Sequence, residues 1–419
     1  MNYQAASQTE SSFPIEKVRK QFPALERVYN GKQAVYFDGP GGSQVVASAI
    51  QTVSDYMKRG GANLHGNFPT SRETEQAINQ TGEDIQTLFN AHHCEVSFGP
   101  NATTMMFHVS RALARQWRAG DEIILTEMDH HANIDSWRTA AEERGVVVKY
   151  IPVNTQTLTL EIDVLPQLLS PKTKLVAIGA ASNCTGTVND VKAMAALAKK
   201  AGAVVAVDAV HAIPHFYVDM EELEIDMLFS SAYKFFAAHV GMAVIRKELL
   251  ESLEVYKVVP SSDLLPDRLQ IGTQNHEGIP SVSDAIRFIA DLGKGETLQE
   301  KIISGYHAIA EYENLLADVI RKEMKKIKGI GLYQADNSIP KTPTIAFRAE
   351  GISPEDFTIR MCEEYSVFIA NGDFYAMTLA KKLGLYDSGS FIRAGMAPYN
   401  TMEEVERFLK GVRAIMLDV

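Results

Sequence analysis

Two residues between Val204 and Lys234 could do chemistry together. Asp208 ends the apolar run Val204 to Val207, and Lys234 follows a second apolar run, Met227 to Phe229, by way of Ser230, Ser231, Ala232 and Tyr233. Open α/β sheets bind their ligands outside the carboxyl ends of the strands, so both groups would be delivered to one mouth. Each alone has a plainer reading, as a surface lysine after a core strand and as an aspartate capping a helix. Together they suit pyridoxal 5′-phosphate (PLP), which needs an amine for its aldehyde and an anion to keep its pyridine nitrogen protonated. Desolvation beside such a ring would favour a neutral Lys234 amine, first a nucleophile and then a proton carrier.

Other segments offer what such a site would still lack. Phe98-Gly99-Pro100-Asn101-Ala102-Thr103-Thr104 follows a strand-like run and opens an amphipathic helix, where backbone N–H groups and two hydroxyls would face an anion. Met128-Asp129-His130-His131-Ala132-Asn133 places an imidazole after the strand Glu122 to Leu125. Ser182-Asn183-Cys184-Thr185-Gly186 ends another strand and offers an amide. Four strand ends thus converge on one ligand.

The elements that must hold these groups alternate. Short apolar runs at Glu122 to Leu125, Val146 to Ile151, Leu175 to Ile178, Val204 to Val207, Met227 to Phe229 and Met242 to Ile245 are mostly separated by helix-length amphipathic segments such as Val191 to Ala201. Continuous apolar strands alternating with helices predict an α/β fold whose mostly parallel sheet is covered on both faces. From Pro280 the pattern becomes one long helical run to about Ile327. Strand-like segments follow at Thr344 to Phe347 and Ser366 to Ile369, then a last helix from Met402 to about Met416 with Thr401 as N-cap. The expected division is an N-terminal segment (1–30) packing with the small domain, a large domain (31–278) and a smaller α+β C-terminal domain (279–419).

Composition narrows the class. The 419 residues, 46% of them hydrophobic, can bury a sizeable core. With 41 basic against 52 acidic residues, a net charge of -11 and no long Lys/Arg run, a nucleic-acid or anionic-membrane surface is not expected. The polar first dozen residues lack a signal peptide's apolar core, and no run of about 18 apolar residues suggests a membrane span. Cys94, Cys184 and Cys362 lie far apart and form no C-x-x-C pair, so neither a disulfide framework nor a metal site is expected. A reducing cytoplasm fits best.

Taken in order, YFDGPGG, the ATT helix opening, DHHAN, SNCTG, the strand ending in Asp208 with His211 three residues on, SAYK, GTQN and RAGMAPYNT make the chain resemble the class V aminotransferases among fold-type I PLP enzymes, and within them the cysteine-desulfurase-like group. The resemblance covers nearly the whole chain and implies a large domain with a seven-stranded sheet. It makes Lys234 the lysine of an internal Schiff base and Asp208 the partner of the pyridinium. His130 would stack on the cofactor and serve catalysis with Lys234, and Asn183 and His211 would lie near its phenolic oxygen. Thr103, Thr104, Ser231 and Tyr233 would hold the phosphate, joined by Thr273 from the other subunit of a homodimer with shared active sites. Arg393 matches the arginine that clamps a substrate carboxylate, a bidentate task that suits a guanidinium. The loop Gly60 to Arg72 resembles the group's substrate-side loop, from which His65 or Arg72 would reach the site.

The chain also departs from that pattern. Where desulfurases present a persulfide-forming cysteine, the segment Ala370 to Met377 carries Tyr375, and it contains no cysteine. Tyr233 stands for the usual histidine before the lysine, and His211 for the usual glutamine. Cys184, next to Asn183, would point to the opposite face if the strand continues. The expected activity is a carbon–sulfur or carbon–selenium lyase, desulfurase-like, working on a small amino acid by β-elimination. An aminotransferase or epimerase on the same scaffold, and a PLP-binding regulatory protein without turnover, remain as alternatives.

Overall fold

Short runs of β-branched and aliphatic residues form the centre of the molecule. The computed structural model describes residues 13–419. Seven strands hydrogen-bond into one sheet: β1 (Cys94–Gly99), β2 (Glu122–Thr126), β3 (Val147–Ile151), β4 (Thr173–Gly179), β5 (Val204–Asp208), β6 (Met227–Ser231) and β7 (Gly241–Arg246). Their spatial order is β3-β2-β4-β5-β6-β7-β1, and of the seven only β7 runs against the rest. The chain moves outward one way from β2 to β3 and the other way from β4 to β6, so the topological switch point lies between β2 and β4.

Side-chain alternation divides the core into two layers. Leu125, Ala177, Ala206 and Phe229 share one face with Trp137 and Val109. Ile124, Ile178, Val207 and Leu228 share the other with Met194, Ala195 and Ala198. The longer helices in the first part of the chain are α1 (Ala47–Arg59), α2 (Pro69–Leu88), α3 (Ala102–Ala114), α4 (Ala132–Glu142) and α5 (Val191–Lys200). Phe229 meets Trp137 of α4 edge-on, ring centroids 6.0 Å apart. Both faces are therefore covered, as the unbroken apolar runs require.

The helical run expected from Pro280 to Ile327 is two helices, α6 (Ser281–Ala290) and α7 (Leu298–Met324). Gly293 and Gly305 bring the two into close crossing, since a Cβ on Gly293 would collide with the Lys301 carbonyl and one on Gly305 with the Ile289 carbonyl. Thr297 and Glu300 then start α7 with a reciprocal capping box. Beyond it lie β8 (Ile330–Tyr333), β9 (Thr344–Ala349), α8 (Pro354–Tyr365), β10 (Ala370–Gly372), β11 (Phe391–Gly395) and α9 (Met402–Leu417). The strands form an antiparallel sheet in the order β8-β9-β11-β10. Of the strand expected at Ser366 to Ile369, only Val367–Phe368 is extended, and it pairs in parallel with Val35–Tyr36 instead of joining that sheet. Ser366 takes a left-handed conformation at the end of α8, φ 56°, and so stays outside the strand. Thr401 caps α9 as expected, with Glu404 closing the box.

The segment from residue 13 to 30 is tied to later parts of the chain. Phe13 stacks on Tyr312 with centroids 4.3 Å apart, Arg19 pairs with Glu404 at 2.8 Å, and Phe22 packs among Phe236, Phe288 and Tyr399. The polar run before it, residues 1–12, lies outside the described residues. Helix α6 packs on α1 and α2 as well as on α7. Among the described residues no helix is long and apolar enough to cross a membrane.

Candidate active site

A cavity of about 810 Å³ opens at the carboxyl ends of β2, β4, β5 and β6, with Arg393 of β11 and the turn at Phe374 and Tyr375 closing it from the far side. It takes in the switch point between β2 and β4. Nearly all the residues singled out from sequence meet there: Lys234, Asp208, His211, His130, Asn183, Thr103, Thr104, Ser231, Tyr233, Arg393 and Tyr375 line it together.

Lys234 enters from a single 3₁₀ turn after β6 and donates from Nζ to the carbonyls of Pro40 and Gly41, at 2.5 and 3.1 Å. Burial, and next the positive charge of Arg393, bring its pKa down to about 7, while Asp208 and Asp38 oppose them. Asp208 is the last residue of β5, and its Oδ1 accepts the Val210 N–H at 2.9 Å. Burial dominates there too and pushes its carboxyl up to about 7, with nearby Asp129 adding to the rise. A carboxyl group so placed gains most from a cation brought against it.

His130 follows β2 and is stripped of water, which lowers its pKa to about 4, with Lys234, His131 and Arg393 adding repulsion. Its Nδ1 accepts the Ala132 N–H at 3.0 Å, so the neutral ring carries its proton on Nε2. Asp129, one position earlier, anchors the turn by accepting Gly179 N–H and Asn133 Nδ2, both at 2.8 Å. At the edge of the cavity α3 begins: Asn101 Oδ1 caps the Thr104 N–H at 2.9 Å, Ser231 Oγ accepts the Ala102 N–H at 2.9 Å, and Thr103 and Thr104 are exposed. Hydroxyls around a helix N-terminus suit an anion.

The opposite wall is aromatic and cationic. Arg393 is 5% exposed, and burial lowers it to about 10 while leaving it charged at neutral pH. Its Nη1 donates to the Asn183 carbonyl at 2.7 Å, and the Phe374 ring covers the guanidinium 3.7 Å away. Asn183 Nδ2 in turn donates to the Phe374 carbonyl at 2.8 Å, and His131 N–H to the Tyr375 carbonyl at 2.7 Å. Phe374 and Tyr375 both take left-handed conformations, φ 53° and 58°. Such backbone in non-glycine residues is held by its surroundings, here by these two hydrogen bonds.

Three residues lie elsewhere. His65 sits exposed between Glu75 and Asp267, 3.3 and 3.5 Å away, Arg72 is exposed on α2, and Thr273 is exposed; none of them lines this cavity. The site also holds groups that sequence reasoning missed. Asp38 is half-buried near Lys234 and Arg393 with a buried Oδ1 that has no hydrogen-bond partner among the described residues, and His239 stacks flat on Tyr233, centroids 4.6 Å apart. The YFDGPGG motif contained the first, whereas nothing marked a lone histidine in the loop before β7. His211 is turned differently from expectation, because its Nε2 meets the hydroxyls of Thr342 and Thr344 at 3.1 and 3.0 Å and only the rest of the ring is left for the cavity.

None of the cysteines is activated. Cys184 is fully buried and its thiol is pushed up to about 12, Cys94 opens β1 and is pushed up to about 11, and Cys362 on α8 is also raised, burial leading in each. Cys184 does turn away from the cavity that Asn183 lines. The reason is a turn and not strand alternation, with Ser182 Oγ accepting the N–H groups of Cys184 and Thr185.

The donor set fits PLP. Lys234 offers an amine of which about half is neutral near pH 7, Asp208 needs a cation, and Asn183 Oδ1 at the cavity is buried without a partner among the described residues. Comparison with known proteins agrees. A model of the family described as aminotransferase class-V matches residues 35–408. Cysteine desulfurases of Enterobacter sp. (strain 638) and Serratia proteamaculans (strain 568) are each 30% identical to the chain over 96% of its length and 98% of theirs. Among solved structures, a cysteine desulfurase of Escherichia coli aligns at TM-score 0.82 and 25% identity, covering 97% of this chain and 99% of its own. The apo cysteine desulfurase of Thermococcus onnurineus NA1 aligns at TM-score 0.86 and 23% identity, covering 99% and 100%. With its fold, its lysine–aspartate pair and a match over most of its length, the chain belongs to the aminotransferase class-V family of PLP-dependent enzymes.

Proposed function

We propose that the protein is a carbon–sulfur or carbon–selenium lyase that removes the β-substituent of cysteine or a cysteine-derived amino acid, working as a homodimer. The observation that carries this reading is the placement of Lys234, Asp208 and Arg393 around one cavity whose facing loop, 370–377, holds Tyr375 and no cysteine. Bound PLP supplies an electron-withdrawing ring that acidifies the α-C–H of an attached amino acid and lets its β-substituent depart.

The chain's own groups divide the remaining work. Asp208 faces the cavity, where it would be the anion for a protonated ring nitrogen, and the hydroxyls of Thr103, Thr104 and Ser231 at the start of α3 would suit the phosphate. Arg393, with Phe374 on one face and Asn183 on one edge, keeps its remaining donors for the substrate carboxylate. Lys234 Nζ, its pKa brought down to about 7 so that a large share is unprotonated at neutral pH, would take the α-proton, and the carbonyls of Pro40 and Gly41 orient it. His130 is neutral and holds a proton on Nε2, suited to lie against the cofactor without adding charge. Exposed Val258, Val259, Leu264 and Ile271 lie in the stretch before Thr273, which supports a second subunit seated there and Thr273 and His65 serving its neighbour's site.

The test is a panel of cysteine, cystine, S-alkyl cysteines and selenocysteine incubated with PLP-loaded protein. Release of pyruvate, ammonia and the departing group (sulfide from cysteine, a persulfide from cystine, a thiol from S-alkyl cysteines, selenide from selenocysteine) in equal amounts is the expected result. Stoichiometric transfer of the amino group to a keto acid, or exchange of the α-proton with no elimination, overturns it in favour of an aminotransferase or an epimerase.

A further inference from the structure

The connection from β6 to β7 closes over the start of α3 and carries a pair of stacked rings. Ser231 and Gly241 face each other across the two strands. Both touch the helix start, since Ser231 Oγ accepts the Ala102 N–H at 2.9 Å and a Cβ on Gly241 would collide with the Asn101 backbone. Tyr233 lies two positions after the first and His239 two positions before the second. Their rings are 6° from parallel with centroids 4.6 Å apart, and both line the cavity.

We propose that His239 is a positioning residue for the cofactor's phosphate: laid flat on Tyr233, its ring holds the phenol hydroxyl toward the anion at the start of α3. The proposal rests on PLP occupying this cavity with its phosphate at that helix.

The backbone of both residues is fixed independently of the rings. Ala232 N–H donates to the Val240 carbonyl at 2.8 Å and Ala237 N–H to the Ala232 carbonyl at 3.2 Å, which closes the connection on itself. The Tyr233 carbonyl accepts the Ser43 N–H and the Ser43 hydroxyl, both at 3.2 Å. The His239 carbonyl accepts Asn275 Nδ2 at 3.3 Å, and the neighbouring Ala238 N–H donates to Ser281 Oγ at 3.3 Å. What stays free to turn is the Tyr233 side chain. Gly42 bounds it on one side, because a Cβ there would press on its Cδ2 and Cε2 at 3.3 and 3.4 Å. The His239 ring bounds it on another. Neither the Tyr233 hydroxyl nor a ring nitrogen of His239 has a hydrogen-bond partner among the described residues, so the stack sets where the hydroxyl stands. Lys234 supplies the direction. Its Nζ lies 5.2 Å from the centre of the Tyr233 ring, and the phosphate arm of PLP grows from the ring carbon next to the one that bears the aldehyde. A phenol beside that amine and beside the start of α3 stands on the phosphate side of the cofactor. A donor ordered before the anion arrives binds it more tightly than one ordered by it. Packing alone gives the pair little purpose, because His239 is exposed and Tyr233 half-buried, and the stack removes little apolar surface from water.

The test titrates the full chain, freed of cofactor, with PLP and separately with pyridoxal, which has the same aldehyde and no phosphate; thermal melting of each sample checks folding. His239→Ala should bind PLP roughly twofold to twelvefold more weakly, the worth of one stacked aromatic pair, and should bind pyridoxal as the parent does. His239→Phe keeps the flat ring and drops both nitrogens, and it should return PLP affinity to the parent value. In a Tyr233→Phe background, where the hydroxyl is gone, His239→Ala should add nothing. Parent PLP affinity in a folded His239→Ala protein overturns the proposal, as does equal weakening toward PLP and pyridoxal or a full additional loss in the Tyr233→Phe background. A His239→Phe protein as weak as His239→Ala also overturns it, since the imidazole would then act on the phosphate itself. Should His239→Ala melt far below the parent, His239→Gln takes its place with the same expected and overturning results. A Tyr233→Phe protein that binds PLP as the parent does takes the phosphate away from Tyr233 and the proposal with it. A parent that binds no PLP overturns the cofactor reading itself.

Discussion

The ring of Phe374 lies 3.7 Å from the guanidinium carbon of Arg393, so the cation that faces the cavity is held flat against an aromatic surface. The contact fixes the plane of the guanidinium, and with it the direction in which its free donors can meet a carboxylate. Replacing Phe374 with Leu keeps apolar bulk but removes the quadrupole. A cation–π contact of this kind is worth about 0.5–2 kcal/mol, which converts to a rise in KM of roughly twofold to thirtyfold. Because the interaction acts on bound substrate and on the transition state alike, kcat should hardly change. Steady-state kinetics of Phe374→Leu with the best substrate of the panel check this; a fall in kcat at constant KM would contradict it.

Ser231 accepts the first amide of α3 and stands beside Thr103 and Thr104, so it serves the helix and the proposed phosphate site at once. In Ser231→Ala, a hydrogen bond to a charged group is lost, worth about 1.5–3 kcal/mol. Cofactor affinity, followed by fluorescence quenching during PLP titration, should fall roughly tenfold to a hundredfold. Activity at saturating PLP should largely return.

Asp208 predicts two opposite effects of one substitution. In protein stripped of cofactor its carboxyl sits at about 7 instead of 3.8, because burial penalises the charged form. A carboxyl raised in the folded state favours folding while protonated, and this contribution is lost as pH rises from about 4 to about 7. Asp208→Asn removes that loss. The stripped variant should therefore melt at a higher temperature than the stripped parent above pH 7, the gap closing toward pH 4. The PLP-loaded forms should behave in reverse, the variant binding cofactor more weakly because no anion meets the ring nitrogen. Melting curves of both proteins across pH, with and without PLP, separate the two effects.

How much of this was legible in the sequence varies from residue to residue. Asp208 and Lys234 were readable because the one ends an apolar strand and the other follows closely on the end of a second, and strand ends in such sheets meet at one edge. Arg393 lies 159 positions beyond Lys234 on a different sheet, and only the likeness of its local motif pointed to it. Phe374 and His239 carried no signal, since each acts through a partner that the fold alone supplies: Phe374 through Arg393 and His239 through Tyr233. That the long helical run expected after Pro280 is broken into two helices was not legible for a related reason. Gly293 and Gly305 matter only once two helices cross there, and apolar periodicity does not register a crossing. His65 and Thr273 lie away from the chain's own cavity, so their proposed service concerns a second subunit.

Lys234 carries the most direct test. Its Nζ is buried enough to be brought to about 7, and its hydrogen bonds run to two carbonyls of the Pro40–Gly41 turn, which leaves its lone pair free in the neutral form. An amine in that state condenses with an aldehyde far faster than an ordinary surface lysine, most of which is protonated at neutral pH. Borohydride reduction of the PLP-loaded parent should therefore fix one cofactor per chain, and peptide mapping should find it on Lys234. Lys234→Ala should lose both the yellow band of the covalent form and the reducible bond. It should still retain PLP noncovalently, because Asp208 and the hydroxyls at the start of α3 are untouched. Reduction that still fixes PLP stoichiometrically in Lys234→Ala would mean that another amine holds the cofactor, and the assignment of the site would fall with it.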